Sequence, residues 1–200
     1  MKRITLSALL MTLFLLIGCN NGGATGEMAT TSDGSVIDLK KVSTDIKNAV
    51  VFAESVKEIE TLVKSVDELA KAIGKKIQAN GLAADADKNG SLISGAFQII
   101  STVKTKLEAL EQTVGLPNEL KAKVTVAKDA SKKFLDKLKE ENATDDNAKK
   151  AIDRNNATKD KGAQELGELN TAIDALLIAA DDAVKSAMAG LTTPKAEKTN

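Results

Sequence analysis

Apolar residues after position 35 recur at three- and four-residue steps, which is the spacing of one face of an α-helix. This spacing predicts long helices over Val36–Ile77, Leu92–Thr113, Asn118–Glu140 and Lys161–Ala189, with a short helix at about Ala148–Arg154. No strand-like alternation of apolar and polar residues accompanies them. The pattern therefore predicts an all-α fold, an elongated antiparallel helical bundle with long first and last helices.

The predicted helix lengths indicate where the loops lie. At a rise of 1.5 Å per residue the first helix is on the order of 60 Å long, the next two are about 33 Å, and the last is about 45 Å. Antiparallel packing then brings both ends of the bundle domain, residues 36–190, to one side. The loops at 80–90 and 141–158 gather at the other side, and a polar tail, residues 191–200, follows the last helix.

The N-terminal pattern differs from that of the bundle. A basic start precedes an apolar run over residues 4–17, which is typical of a secretory signal peptide and shorter than the roughly 20 residues of a membrane span. Leu-Ile-Gly-Cys at 16–19 resembles a bacterial lipobox, so residues 1–18 are interpreted as a lipoprotein signal peptide and Cys19 as the lipidation site. The alternative is an ordinary signal peptide with an incidental cysteine. Residues 19–35 are predicted to form the acylated cysteine and a flexible tether.

The amino-acid composition excludes several kinds of catalytic and metal-binding site. The 200 residues contain no His, Trp or Tyr and one Cys, with 28 Lys+Arg against 28 Asp+Glu. Without His or a second Cys, the chain has no Ser-His-Asp triad, no His-ligated zinc and no internal disulfide. Balanced charge and few aromatic residues are atypical of nucleic-acid-binding proteins. We therefore expect no enzyme activity, no cofactor and no nucleic-acid partner.

Residues 85–90, Asp-Ala-Asp-Lys-Asn-Gly, imitate the start of an EF-hand calcium loop. That loop requires a bidentate Glu at its twelfth position, which is Ala96 here, and Lys88 places a cation among the ligands. We therefore expect no metal site and interpret the segment as a turn whose side chains cap the backbone locally.

Four lysines of the predicted third helix form one stripe about 40° wide, given 100° per residue. They are Lys121, Lys128, Lys132 and Lys139. Such a stripe can hold a sulfated polysaccharide by charge attraction, although Asp129 and Asp136 weaken it. The stripe is a candidate glycan-binding surface, and a solvated helix face is the alternative.

Four stretches of the chain match a known pattern together. They are LSALLMTLF at 6–14, AIGKKI at 72–77, NGSLISGA at 89–96 and TKDKGAQELG at 158–167. This collinear set resembles the outer surface protein C and variable small protein family of Borrelia spirochaetes. Outer surface protein C usually has a second cysteine in its third helix, whereas residues 127–131 read AKDAS here, which favours the variable small proteins.

The resemblance implies a surface-exposed variable lipoprotein antigen, held in the bacterial outer membrane by a palmitate-bearing anchor. It implies antigenic variation, evasion of host antibodies and frequent dimerisation. Some family members bind host glycosaminoglycans, so an adhesin is an alternative function, and a periplasmic small-ligand carrier is another. For a homodimer, Val51, Leu62 and Leu69 widen the apolar stripe of the first helix, although extra core contact explains them equally well.

Overall fold

The computed structural model describes residues 28–30, 36–139 and 143–191. The predicted signal peptide, Cys19 and the tail from residue 192 onwards lie outside the described residues. Within the described part the elements follow in this order: β1 Met28–Thr30, β2 Val36–Asp38, α1 Leu39–Ala70, β3 Lys75–Gln78, β4 Gly81–Ala84, α2 Gly90–Glu111, α3 Asn118–Lys137, α4 Asp145–Ile152 and α5 Ala163–Ala189. The predicted all-α bundle is confirmed.

The four long helices form a closed antiparallel bundle. Helix α1 packs against α5, α5 against α3, α3 against α2, and α2 against α1, while the short α4 contacts α1, α2 and α5. All five helices contribute fully buried side chains, among them Ile59, Ile100, Phe134, Ile152 and Leu169. Each such side chain contributes roughly 1.5–3 kcal/mol by leaving water. None of the described helices is long and apolar enough to cross a bilayer.

Helix α1 is shorter than its apolar spacing predicts, and the prediction that the chain forms no strands is wrong. The helix ends at Ala70, and β3 pairs with the antiparallel β4 in a register that sets Gln78 opposite Gly81. Gly74 has φ +70° and Gly81 has φ +113°, and such positive angles favour glycine. Gly74 lies between the end of α1 and β3, and Gly81 begins β4 directly after the turn. The 32 residues of α1 therefore span about 48 Å.

Side-chain caps fix two of the helix starts. Asp38 Oδ1 accepts a hydrogen bond from Lys41 N at 2.9 Å, so α1 begins at Leu39. Thr144 Oγ1 accepts one from Asn147 N at 3.3 Å, so α4 begins at Asp145, three residues before the predicted start. Apart from the C-terminal end of α1, the remaining observed and predicted helix bounds differ by no more than three residues.

The two ends of the bundle differ in what they contain. At one end α1 begins where α5 finishes, since a Cβ added to Gly190 would lie 3.6 Å from Val42 Cγ2. We call this end, residues 36–42 and 187–191, the terminal pole. The opposite end, residues 71–89 and 143–162, is the loop pole, where the α1–α2 connection and the described residues between α3 and α5 lie together as predicted.

Two further predicted features concern the start of the chain and the sides of α1. Met28–Thr30, within the segment predicted as a tether, pairs with Val36–Asp38 as an antiparallel strand. Leu62 and Leu69 pack against the bundle core, whereas Val51 is 53% exposed. Extra core contact thus accounts for two of the three residues that widen the apolar stripe.

Candidate functional site

The lysine stripe on α3 is interrupted by a contact with α2. Lys128 Nζ donates a hydrogen bond to Glu111 Oε2 at 2.7 Å, and Thr125 Oγ1 donates to Glu111 Oε1 at 2.6 Å. The hydrogen bond between Lys128 and Glu111 raises the pKa of the lysine and lowers the pKa of the carboxyl group. Only 24% of the Lys128 side chain is exposed. Because Glu111 belongs to α2, this hydrogen bond joins α3 to α2.

Two further lysines of the stripe share one carboxylate. Lys132 Nζ lies 2.5 Å from Asp136 Oδ2, and Lys139 Nζ lies 2.6 Å from Asp136 Oδ1. Hydrogen bonds from these two lysines lower the pKa of Asp136 to about 2. Lys121, Lys132 and Lys139 are therefore exposed while Lys128 is half-buried, and Glu111 and Asp136 reduce the positive charge of the stripe. The spacing of residues predicted the weakening by Asp136, and Glu111 was missed because it belongs to another helix.

The segment that imitates an EF-hand joins two loops of the loop pole. Asp87 N donates to Asp145 Oδ1 at 2.9 Å, and Asp145 N donates to Asp87 Oδ1 at 2.8 Å. Asn89 Nδ2 donates to Asp145 Oδ1 at 2.8 Å and to Ala143 O at 3.0 Å, and Asn89 Oδ1 accepts from Gly74 N at 2.9 Å. We call these residues, Gly74, Asp87, Asn89, Ala143 and Asp145, the loop network.

The loop network explains why the capping role predicted for residues 85–90 is only partly right. Asp87 and Asn89 do cap backbone groups, but those groups belong to Gly74 and to a segment more than fifty residues away. The Asn89 side chain and the Asp87 amide both donate to Asp145 and lower its pKa. Among the described residues, no cluster of three or more His, Cys, Asp or Glu side chains is arranged to hold a metal ion.

A bidentate ion pair ties the loop after α4 to α1. Arg154 Nε donates to Asp67 Oδ1 at 2.8 Å, and Arg154 Nη2 donates to Asp67 Oδ2 at 2.5 Å. The hydrogen bonds to Asp67 raise the pKa of Arg154. No pattern in the sequence predicted this pair, although Arg154 is the only arginine after Arg3 in a chain that otherwise uses lysine. The planar guanidinium of arginine can donate two parallel hydrogen bonds to one carboxylate. The single ammonium group of lysine cannot form this pair of bonds.

Within the described residues, the cleft between α3 and α5 does not suit the apolar ligand of the carrier hypothesis. A surface cleft between α3 and α5 is lined by charged side chains: Lys133, Asp136, Lys137, Glu165 and Glu168. Asn170, buried nearby, donates to the carbonyl of Leu166 in its own helix. Such a lining does not suit an apolar molecule, which requires a concave and largely apolar site.

Comparison with known proteins places the chain in a family. A family model described as "Lipoprotein" matches residues 36–197. The chain is 48% identical over 206 residues to Variable small protein 11 of Borrelia hermsii, covering 96% of this chain and 98% of that protein. It is 46% identical over 210 residues to Outer surface protein C of Borreliella burgdorferi, covering 97% of this chain and 96% of that protein.

A solved structure agrees with this assignment. Variable Small Protein 1 of Borrelia turicatae superposes on the chain with a TM-score of 0.71 at 55% identity, covering 76% of this chain and 98% of that one. The sequence thus matches over nearly the whole chain and the fold over about three quarters of it. The chain belongs to the lipoprotein family that includes the variable small proteins and outer surface protein C of these spirochaetes.

Proposed function

We propose that this chain is a variable lipoprotein antigen of the spirochaete cell surface, anchored in the outer membrane through acylated Cys19, and that it serves antigenic variation and evasion of host antibodies. Membership of the lipoprotein family supports the anchor. The observation that carries the proposal is the separation of the two poles. The chain enters the bundle at the terminal pole, so an N-terminal anchor leaves the loop pole about 48 Å farther out, the length of α1.

The loop pole has a construction that suits a variable surface. Side chains such as Lys75, Gln78 and Lys88 are exposed there, whereas Asn89 is only 2% exposed. Substitution of exposed residues away from caps and networks usually changes stability by less than about 0.5 kcal/mol. The outer residues can therefore differ between relatives while the loop network keeps the backbone in place.

The location is tested by treating intact cells with trypsin and probing for the chain and for a periplasmic protein. The proposal expects the chain to disappear while the periplasmic control survives. A Cys19→Ser variant provides the matched test of the anchor, because it should be released from the membrane fraction. Survival of the chain on intact cells, with digestion after lysis, would place the bundle in the periplasm and contradict the proposal.

Evasion of antibodies requires a second experiment, because exposure alone does not establish it. Serum raised against this chain is tested on isogenic cells that express either this chain or Variable small protein 11. The proposal expects complement-dependent killing only of the cells that express this chain. Equal killing of both strains would show that the antibodies recognise shared surfaces, and it would remove the role in antigenic variation.

Binding of host glycosaminoglycans through Lys121, Lys128, Lys132 and Lys139 is kept as the alternative proposal. Replacing all four lysines with Gln should weaken binding to immobilised heparin, and binding should fall with salt because the contacts are electrostatic. A charge-matched control replaces four lysines elsewhere on the bundle: Lys57, Lys104, Lys106 and Lys185. Equal binding by both variants would assign any affinity to overall charge and reject the stripe.

A homodimer also stays a proposal, and the exposed Val51 on α1 is the residue that favours it. Equilibrium sedimentation of the purified chain and of a Val51→Lys variant tests this contact. The proposal expects the variant to be more dissociated than the parent. Equal dissociation would exclude the α1 surface around Val51 as the interface.

A further inference from the structure

The β3–β4 hairpin at the loop pole exposes a pair of large apolar side chains. Ile77 and Leu82 are direct cross-strand partners and are 86% and 61% exposed. Directly opposite residues lie on the same face of an antiparallel pair, so these side chains form one apolar patch. Ala83, on the other face, is half-buried. The hairpin thus turns its apolar face to solvent, the reverse of the usual arrangement.

The backbone edges of the hairpin are open. Asp85 N donates to Gly74 O at 2.8 Å, and hydrogen-bonded pairs alternate along an antiparallel ladder. Ile77 and Leu82 therefore occupy a pair that is not hydrogen-bonded, and their N–H and C=O groups point outward from the two edges. In the described part of the chain, β3 and β4 form a two-stranded sheet without a third strand. Such an edge is a template for another strand.

The charge of the hairpin favours one kind of partner. Residues 75–84 contain Lys75 and Lys76 and no acidic residue. The Nζ atoms of Lys76 and Lys88 lie 3.4 Å and 4.0 Å from the same oxygen, Oδ1 of Asp85. The single negative charge of Asp85 therefore balances only one of these two positive charges. Lys75 is two residues from Ile77 and lies on the same face. A positive surplus therefore accompanies the apolar patch.

The base of the hairpin is fixed before any partner arrives. Gly74, which directly precedes β3, donates its N–H to the buried Asn89, and a Cβ placed on Gly74 would lie 2.6 Å from Asp145 Oδ2. The loop network thus holds the hairpin against α4. A partner strand would meet a surface that is already ordered, which lowers the entropic cost of binding.

We propose that an open edge of the β3–β4 hairpin binds an extended acidic segment of another protein as an added β-strand. Apolar side chains of that segment would cover Ile77 and Leu82, and the carboxylates that alternate with them would pair with Lys76 on the opposite face, while Lys75 adds positive charge beside the patch. Binding of this kind is a property of the purified chain and does not depend on the proposed location or on antigenic variation.

The test uses a short fluorescent peptide of alternating Glu and Val residues, titrated with the purified chain and followed by fluorescence anisotropy. The proposal expects saturable binding that weakens as salt is raised from about 50 to about 300 mM. A double variant, Ile77→Thr with Leu82→Thr, should weaken binding by roughly tenfold or more, because it removes apolar area while placing a β-branched residue, which suits a strand, at both positions. The matched control is Val114→Thr, at a residue 97% exposed in the α2–α3 turn, which should bind like the parent.

Two altered peptides test the strand and the charge separately. A peptide with Pro at its central positions cannot donate backbone hydrogen bonds and should not bind. A peptide of alternating Lys and Val should not bind the parent, but it should bind a Lys75→Glu, Lys76→Glu variant that no longer binds the Glu–Val peptide. This exchange of preference is a gain of binding, so it does not depend on whether the threonine variant folds fully.

Several results would overturn the proposal. Absence of Glu–Val binding to the parent, equal binding of the Pro-containing peptide, or equal binding of the Lys–Val peptide would each reject it. Loss of self-association in the threonine variant, without peptide binding by the parent, would assign the patch to a second copy of this chain. Binding of the parent to vesicles of anionic lipid, again without peptide binding, would assign the patch to a membrane.

Discussion

The helices are joined by different forces in the body of the bundle and at the loop pole. In the body, apolar side chains such as Ile59, Ile100 and Leu169 meet with no exposure to solvent. At the loop pole, the loop network and the pair between Arg154 and Asp67 join segments that are far apart in sequence. Apolar packing tolerates exchange of residues of similar volume, whereas a hydrogen-bond network requires particular atoms. The body therefore determines the fold, and a few polar atoms determine the course of the loops.

The largest expected effect comes from opening the body of the bundle. Phe134 is fully buried, and its Cε2 lies 3.4 Å from the position of a Cβ on Gly162. Phe134→Ala should lower the free energy of unfolding by about 3–5 kcal/mol, because it removes apolar contacts and leaves a cavity. Chemical denaturation followed by circular dichroism measures this loss. Val114→Ala in the exposed α2–α3 turn is the control and should change stability by less than about 0.5 kcal/mol. A loss of similar size in both variants would contradict the assigned core.

A smaller and more local effect is expected from the loop network. Asn89→Ala removes the acceptor for Gly74 N and a donor to Ala143 O and Asp145, which should cost about 1–3 kcal/mol. Amide hydrogen exchange should accelerate in residues 71–89 and 143–147 while the centres of the long helices stay protected. Uniform acceleration along all helices would show that the loop pole and the body unfold as one unit.

Acid should weaken the loop pole through Asp145. Hydrogen bonds from Asn89 and from the Asp87 amide lower the pKa of this carboxyl below its ordinary value of about 3.9. Its contribution is therefore complete above about pH 4 and is lost as pH falls through the lowered pKa. The melting temperature of an Asp145→Asn variant should fall less between about pH 6 and pH 2 than that of the parent. Parallel acid curves would mean that ionised Asp145 does not stabilise the fold.

The smallest expected effect concerns the ion pair between the loop pole and α1. Arg154→Lys keeps the charge but loses the two-pronged contact with Asp67, so stability should fall by less than about 1 kcal/mol. Arg154→Gln, which removes the charge as well, is the comparison variant. If the two variants lose equal stability, geometry is the source of the effect. If the lysine variant is as stable as the parent, attraction of the charges alone is sufficient.

Local sequence predicted the helices well, because each buries an apolar face with a period that is visible along the chain. The end of α1 was missed for the same reason. Ile73 and Ile77 continue the helical spacing, and Lys75 and Lys76 suit a helix C-terminus, whereas Gly74, at φ +70°, separates the end of α1 from β3. The Asn80-Gly81 pair is a strong hairpin signal, and the chain turns here with Ala79 and Asn80 between β3 and β4.

The candidate site was less predictable than the fold. The lysine stripe followed from spacing within one helix, but its neutralisation by Glu111 depends on how α2 packs against α3. The loop network joins Asn89 to Asp145, and no pattern in either segment identifies the other. Interactions of this kind become visible only when the helices have fixed the positions of the loops.

The position of the chain ends has a mechanical consequence. A membrane tether would pull on the bundle at Asp38, and a partner bound to the β3–β4 hairpin would pull at the far end of α1. The force would then act along the axis of α1, and this helix could lengthen only by losing its backbone hydrogen bonds together with its apolar contacts to α5. A pull that separated the two ends of the chain would instead open the same contacts one turn at a time, starting where Val42 meets Gly190. The bundle should therefore resist a load between membrane and partner far better than a load between its own termini.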